Sequence, residues 1–154
     1  MDAQTSTDLI MRAWREFATQ DPDRIAAVFT PDAEWLAPPD NPTARALDGT
    51  SHLIGRDRIV HFLATEFPTI FVADRSVDFT AITATDTTVV LEERMRATLM
   101  NGNHYDNNYC FIFELRAGLI HRVREYMDTR RAEKMFAAGT ATDRLLHADR
   151  LAEE

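Results

Sequence analysis

Apolar positions in the first half of the chain follow the spacing of helices. Across residues 7–20, apolar side chains recur every three or four positions, which predicts an amphipathic helix with one buried face. Asp21 and Pro22 then predict a second, short helix, because Asp caps free backbone N–H groups and Pro fits the first helical position. Pro31 is expected to end this helix, so two helices precede the first strand.

The next stretch predicts a strand, a loop and a third helix. Residues 33–36 are predicted to form a short strand, and the proline-rich residues 38–42 a loop. A third amphipathic helix is predicted from about residue 55 to residue 66, and Pro68 is expected to end it.

The second half of the chain changes to alternating apolar and polar positions. This pattern predicts four strands, over residues 77–83, 88–99, 105–115 and 119–127. Asn101-Gly102 predicts a type I′ hairpin turn, since both central residues of that turn need positive φ, and Ala117-Gly118 predicts another reversal.

A capped helix is expected after the last strand. Asp128 can cap a final helix that carries Ala132, Met135 and Phe136 on its apolar side. From Gly139 onward the pattern weakens. The prediction is therefore one domain over residues 1–137, followed by a tail over residues 138–154 that could form a further helix.

This order of elements predicts an α+β domain. Helices followed by consecutive hairpins favour helices packed on one face of a strongly curved antiparallel or mixed sheet. Such a sheet and its helices enclose a cone, and ligand pockets form in the mouths of cones.

Composition narrows the range of partners and compartments. The chain has 154 residues, 45% of them hydrophobic, and a net charge of −8 from 25 acids and 17 bases. This charge argues against general binding to nucleic acid or to an anionic membrane, because both are polyanions. The polar N-terminus and the short apolar runs suggest neither a secretory signal nor a membrane span. A single cysteine, Cys110, favours a reducing compartment, so the expected location is the cytoplasm.

Several segments, in their order and spacing, resemble a known superfamily. They are the helical pair around Trp14, Phe17 and Asp21-Pro22, and then residues 28–35 (VFTPDAEW), 55–59 (GRDRI), 108–113 (NYCFIF) and 124–129 (REYMDT). Together they resemble the nuclear-transport-factor-2-like (NTF2-like) superfamily, in its SnoaL-like and ketosteroid-isomerase-related branch, over roughly residues 7 to 137. The resemblance implies a cone-shaped pocket, usually a homodimer and usually no cofactor. Its members differ widely in function, so the fold alone does not assign the chemistry.

Comparison with two enzyme groups of this superfamily shows departures. Ketosteroid isomerases are similar in layout but carry a carboxylate base before a proline at the end of the first strand, where this chain has Ala37. Their second acid would fall near Tyr109. The Asp–Arg–Asp set of limonene-epoxide hydrolases would map onto Arg96, Arg94 and Glu125, so only the arginine is kept outright. Neither mechanism carries over intact.

The resemblance and the strand alternation together suggest a candidate site. In the resembled enzymes the strand phase of Val123, Glu125 and Met127 points into the cone, and the alternation places Asn107, Tyr109, Phe111 and Phe113 inside as well. On the strand at 88–99 both phases mix charged and apolar residues, which suggests a bulge. The expected catalytic residues are Glu125, Tyr109 and Arg94. The expected substrate contacts are Trp35, Arg96, Asn107, Phe111, Phe113, Val123 and Met127.

Each candidate also has a structural interpretation. Glu125 could shuttle a proton with a pKa raised by desolvation, or it could form a buried ion pair with Arg94 or Arg96. Tyr109 could donate to a ligand oxygen, or its hydroxyl could be satisfied within the core.

No metal or nucleotide site is expected. His104 and Asp106 could form a metal pair, but a zinc site needs at least three protein ligands and the spacing offers no third. Cys110 is expected to serve packing alone. The glycines form no phosphate-binding or nucleophile-elbow motif.

Two functions remain open. The first is an acid–base enzyme that needs no cofactor and acts on a small, largely apolar molecule by isomerisation, cyclisation, dehydration or hydration. The alternative is a binding or accessory module. For either function a homodimer through the outer sheet face is expected, and this face, with Arg122, Arg124 and Tyr126, could also serve mainly as an association surface.

Overall fold

One curved sheet and a set of mostly short helices make up the fold. The computed structural model describes residues 1–137. The helices are α1 (Ala3–Ala18), α2 (Pro22–Ala26), α3 (Pro42–Ala46), α4 (Arg56–His61), α5 (Phe67–Ile70) and α6 (Thr129–Ala137), with a π-helical turn (Phe62–Glu66) joining α4 to α5. The strands are β1 (Phe29–Leu36), β2 (His52–Ile54), β3 (Phe71–Ala84), β4 (Thr88–Leu99), β5 (His104–Arg116) and β6 (Leu119–Met127).

The six strands form one open, mixed sheet in the order β2-β1-β6-β5-β4-β3. Only β1 and β6 run parallel, and every other neighbouring pair is antiparallel. The pairing of β3 with β4 shifts register three times, and such bulges bend a strand and increase its twist. The sheet therefore wraps around the helices, and the predicted α+β, cone-shaped architecture is confirmed.

The helix signals act largely as expected. Asp21 Oδ1 accepts hydrogen bonds from the backbone N–H groups of Asp23 and Arg24, and Pro22 occupies the first turn of α2. Asp128 Oδ1 accepts from the backbone N–H of Arg131 at 2.9 Å and so caps α6. The predicted tail beyond residue 137 lies outside the described residues, and the boundary at 137 stays a prediction.

Three prolines behave differently from the prediction. Pro31 lies inside β1, which starts before it, and the register of β1 against β6 is interrupted there because proline has no N–H for the ladder. Pro68 lies in the first turn of α5, where no hydrogen bond is lost, so the helical path continues to Ile70. Pro42 opens α3, a short helix inside the stretch predicted as a loop.

Two hairpin turns reverse the chain where they were predicted, one of them with another geometry. Ala117 and Gly118 both have positive φ, at 51° and 77°. In the other turn Gly102 alone has positive φ, at 81°, and its N–H donates to the Leu99 carbonyl at 2.9 Å. Asn101 keeps negative φ, so the turn is followed by a glycine bulge and is not type I′.

The apolar core fills one end of the cone. Trp14 of α1 contacts Phe111 and Phe113 of β5, with ring centroids 5.1 Å and 5.9 Å apart. At the other end α6 packs against the sheet, where Phe136 meets Tyr105 edge-on at 5.9 Å. The space between these two packed regions is open and contains the candidate site.

Candidate active site

A largely apolar cavity occupies the concave side of the sheet. Its volume is about 640 Å³, which is in the range of pockets for small organic molecules. Helix α1, the loop around α3, the helical segment 56–70 and all six strands contribute to its wall. Lining residues that are also exposed to solvent, such as Arg15, Gly49 and Arg75, mark its mouth.

Glu125 lies on the cavity wall, as the sequence suggested. It pairs in register with Phe111 of β5, and what remains accessible of its side chain faces the cavity. Desolvation raises the pKa of Glu125 to about 7, and a hydrogen-bonding interaction with the Trp35 side chain partly opposes this rise. The carboxyl is therefore close to half-ionised near neutral pH, which suits proton transfer in both directions.

A second carboxyl, Glu93 of β4, was missed by the sequence analysis. It is only 3% exposed, lines the same cavity, and its Oε2 has no hydrogen-bond partner among residues 1–137. Desolvation, and then the charge of Glu125, raise the pKa of Glu93 to about 8. Near pH 7 the cavity therefore holds one carboxyl that is protonated and one that is partly ionised.

Tyr109 lies between these two acids. It pairs in register with Glu93 on one side and with Met127 on the other. Asn107 Nδ2 donates to the Tyr105 hydroxyl at 3.2 Å, and the Tyr105 and Tyr109 hydroxyl oxygens are 2.5 Å apart. This order lets Tyr105 donate to Tyr109 and leaves the Tyr109 hydrogen available to a ligand. Burial raises the pKa of Tyr109 well above its usual value, so it stays a neutral donor.

Aromatic and thioether side chains form the rest of the expected wall. Trp35, Phe111 and Met127 all line the cavity, as the sequence suggested. Trp35 meets Phe111 edge-on, with ring centroids 6.0 Å apart, and is 4% exposed. Such a wall offers flat apolar surface to a small organic molecule.

Arg94 and Arg96 do not reach the cavity, which corrects the position expected for them. Buried residues alternate with half-buried or exposed ones along β4, and its register with β5 has no shift, so no bulge turns the arginines inward. Arg94 Nε donates to Asp106 at 2.7 Å, and Arg96 pairs with Asp78 at 3.2 Å, both on the outer face. The alternative ion pair between Glu125 and these arginines is wrong for the same reason.

Three other expected contacts lie in the core and not on the cavity wall. Phe113 and Val123 are fully buried toward the packed end of the cone. Asn107 is also buried, and its Nδ2 donates to Tyr105 and to the Asp128 carbonyl at 3.0 Å. Alternation along a strand correctly assigns which side chains face inward. It does not show which of these inward-facing side chains pack in the core and which line the cavity.

No metal site is found among residues 1–137, where no three His, Cys, Asp or Glu side chains could hold an ion together. His104 is exposed, and Asp106 is bound by Arg94 on the outer face. Cys110 is half-buried on that same face. In the described part of the chain, no helix is long and apolar enough to cross a membrane.

Solved structures with similar folds confirm the architecture. A protein described as NTF2-like and of unknown function, from Burkholderia pseudomallei K96243, matches with a TM-score of 0.74 and 16% identity over 87% of this chain and 98% of that chain. TerC, co-crystallised with polyporic acid, matches with a TM-score of 0.73 and 19% identity over 87% and 99%. A Catenulispora acidiphila DSM 44928 protein with a ketosteroid isomerase-like fold, in complex with trimethylamine, matches with a TM-score of 0.64 and 13% identity over 82% and 90%.

The cone and its lined cavity define an NTF2-like α+β protein. The model of the SnoaL-like domain matches residues 10–123, and the chain belongs to that family. A comparison with curated protein sequences gave no significant match.

Proposed function

We propose that this protein is an acid–base enzyme that needs no cofactor and acts on a small, largely apolar molecule. The observation that carries the proposal is the placement of two carboxyls, Glu93 and Glu125, together with Tyr109 on the wall of one largely apolar cavity. Perturbed carboxyl pKa values in a cleft are typical of catalytic sites. The family and the structure of TerC with a small organic acid support the use of the cone for such a molecule.

In the proposed mechanism Glu125 moves the proton. Its ionised carboxylate removes a proton from a carbon next to a substrate carbonyl, and the C–H electron pair moves toward the carbonyl oxygen. The Tyr109 O–H donates to that oxygen and stabilises its developing negative charge. Where a C=C bond is conjugated with the enolate, protonated Glu125 returns the proton to the far carbon of that system, which shifts the double bond and isomerises the substrate. Alternatively the enolate carbon attacks a second carbonyl carbon, whose C=O π electrons move to its oxygen, and protonated Glu125 gives its proton to that alkoxide, which closes a ring and regenerates the carboxylate.

The pH profile of a carbon-acid probe tests the proposal without knowledge of the natural substrate. Base-promoted ring opening of 5-nitrobenzisoxazole transfers a C–H proton to the base while the N–O bond breaks to give a coloured phenolate. Because the base must be ionised, kcat/KM should rise with pH through about 7, the pKa of Glu125. A rate no higher than that of buffer, or a midpoint near the ordinary value of 4.5, would contradict the proposal.

A binding module without catalysis is the second candidate. It is favoured by Ala37, which lines the cavity where the resembled isomerases carry their base. This function requires that the cavity bind apolar fluorophores while the protein leaves the probe unchanged over the whole pH range.

The outer face of the sheet is proposed as a homodimer interface. Val90 pairs in register with Ile112, and Cys110 with Tyr126, so four apolar or aromatic side chains form one patch. Tyr126 is 52% exposed, and the surrounding positions on this face are charged. An apolar centre with a polar rim is the usual composition of an interface.

Ile112→Glu is expected to convert the dimer to a monomer, because a carboxylate at the centre of the patch would be desolvated without a partner. Light scattering coupled to size-exclusion chromatography measures the mass. The control is Met100→Glu, which places the same charge at an exposed apolar position on the β4–β5 turn. A wild-type protein that runs as a monomer would overturn the proposed interface.

A further inference from the structure

Three arginines line the largely apolar cavity. They are Arg15 of α1, Arg58 of α4 and Arg75 of β3. The Arg58 guanidinium already pairs with Glu66. Within residues 1–137, neither Arg15 nor Arg75 forms an ion pair with a carboxylate, so no described acidic side chain compensates either cationic charge.

The Arg75 guanidinium is held at the mouth of the cavity. With the Gln20 amide oriented so that its oxygen faces the guanidinium, that oxygen accepts from Nη1 and Nη2 of Arg75, each at 2.7 Å. The Arg75 Cζ also lies 5.9 Å from the centre of the Phe67 ring. These contacts hold the guanidinium between the end of α1 and α5. Nη1 and Nη2 each donate one hydrogen to Gln20, and the other guanidinium N–H groups remain available to a ligand.

Charge is distributed unevenly along the cavity. The carboxyls among its lining residues are Glu93 and Glu125, both deep in the cone, and both are held partly or wholly protonated near pH 7. The mouth is cationic, although the whole chain carries a net charge of −8. A cationic rim over an apolar chamber attracts and orients a molecule with one anionic end.

We propose that the substrate is an amphipathic anion, whose carboxylate or phosphate head binds Arg75 and Arg15 at the mouth while its apolar, reacting end reaches Glu125 and Tyr109. This inference rests on the proposed function, since it takes the cavity to be the substrate site. It adds a direction of binding, because the charged head cannot enter the apolar interior without losing its hydration.

A displacement series of three naphthalenes measures the preference for an anionic head. The uncharged fluorophore N-phenyl-1-naphthylamine is bound first and is then displaced by 2-naphthoate, by methyl 2-naphthoate or by 2-naphthyl phosphate. At low salt, 2-naphthoate is expected to bind about tenfold more tightly than its uncharged ester, as a hydrogen-bonded charge contact allows. Tighter binding of the phosphate than of the carboxylate would assign phosphate as the head group and equally support an anionic ligand.

Variants at the mouth locate that preference. Arg75→Gln and Arg15→Gln should each reduce the advantage in affinity of 2-naphthoate over its methyl ester. Arg75→Gln should remove most of the roughly tenfold difference, whereas Arg75→Lys should retain part of it. The control is Arg12→Gln on the same helix, an exposed arginine that does not line the cavity, and it should leave the advantage unchanged. Thermal melting checks that every variant is folded.

Two outcomes would overturn the inference. One is equal affinity for the acid and the ester in the wild-type protein, and the other is an equal loss of preference in Arg12→Gln and Arg75→Gln. Because only binding is measured, a clear preference for the acid in a protein that fails to open 5-nitrobenzisoxazole would leave this inference standing and overturn the catalytic proposal alone.

Discussion

Glu125→Gln is expected to lower kcat/KM for the carbon-acid probe by about a hundredfold to ten-thousandfold, the usual contribution of a positioned general base. The amide has nearly the shape of the acid but cannot accept the proton. Glu93 is a poor replacement, because desolvation, the larger cause of its raised pKa, remains in the variant and continues to disfavour its ionised form. The measurement is steady-state kinetics between pH 6 and pH 8, with circular dichroism to confirm the fold.

Glu92→Gln is the matched control for this variant. Glu92 is next to Glu93 on β4 but is exposed on the outer face, so its replacement should leave the rate unchanged. If Glu125→Gln turns over the probe as fast as the wild-type protein, Glu125 has no part in the chemistry. A loss of the same size in Glu92→Gln would show that the effect is not specific to the cavity.

Glu93→Gln is expected to make the protein more stable at alkaline pH. Burial raises the folded-state pKa of Glu93 from 4.5 to about 8, so between these values the folded state binds more protons than the unfolded state. The free energy of unfolding of the wild-type protein should therefore fall as pH rises through this window. Glutamine cannot ionise, and its advantage should grow from near zero at pH 4 to on the order of a few kcal/mol at pH 9.

Urea unfolding at pH 5, 7 and 9 measures this difference, and Glu92→Gln again provides the matched control. The control should follow the wild-type curve, because its carboxyl is exposed to water. A constant difference between Glu93→Gln and the wild-type protein across pH would mean that Glu93 titrates normally, and the picture of two buried acids would be wrong.

The strand alternation was sufficient to predict much of the sheet. The ranges predicted for β4 and β6 agree with the structure, because each strand is flanked by a turn with a distinct signal. The short elements α3 and β2 were not predicted. With five residues in α3 and three in β2, each element is too short to show a periodic pattern. Strand β2 is held in place by its pairing with β1.

The site was only partly accessible to sequence reasoning. Tyr109 and Phe111 share a phase that is mostly apolar, and Glu125 came from the family resemblance. Glu93 was missed because a carboxylate in a strand normally indicates the outer face. Its neighbour Arg94 is also charged, so neither face of β4 could be recognised from the sequence as the apolar, inner one. The Asp106 side chain that holds Arg94 outside comes from the next strand, and only the folded sheet brings the two together.

The parallel contact between β1 and β6 sets the order in which the molecule can assemble. β1 and its parallel neighbour β6 are separated in the chain by residues 37–118, so Trp35 has no partner opposite Val123 until β6 has been made. Contacts between segments that are so far apart in the chain form slowly. Until they form, the apolar face of β1 is exposed and can aggregate. The wall that joins Trp35 to Glu125 therefore cannot form before β6 is made, and a chain that stops short of β6 would leave Trp35 exposed.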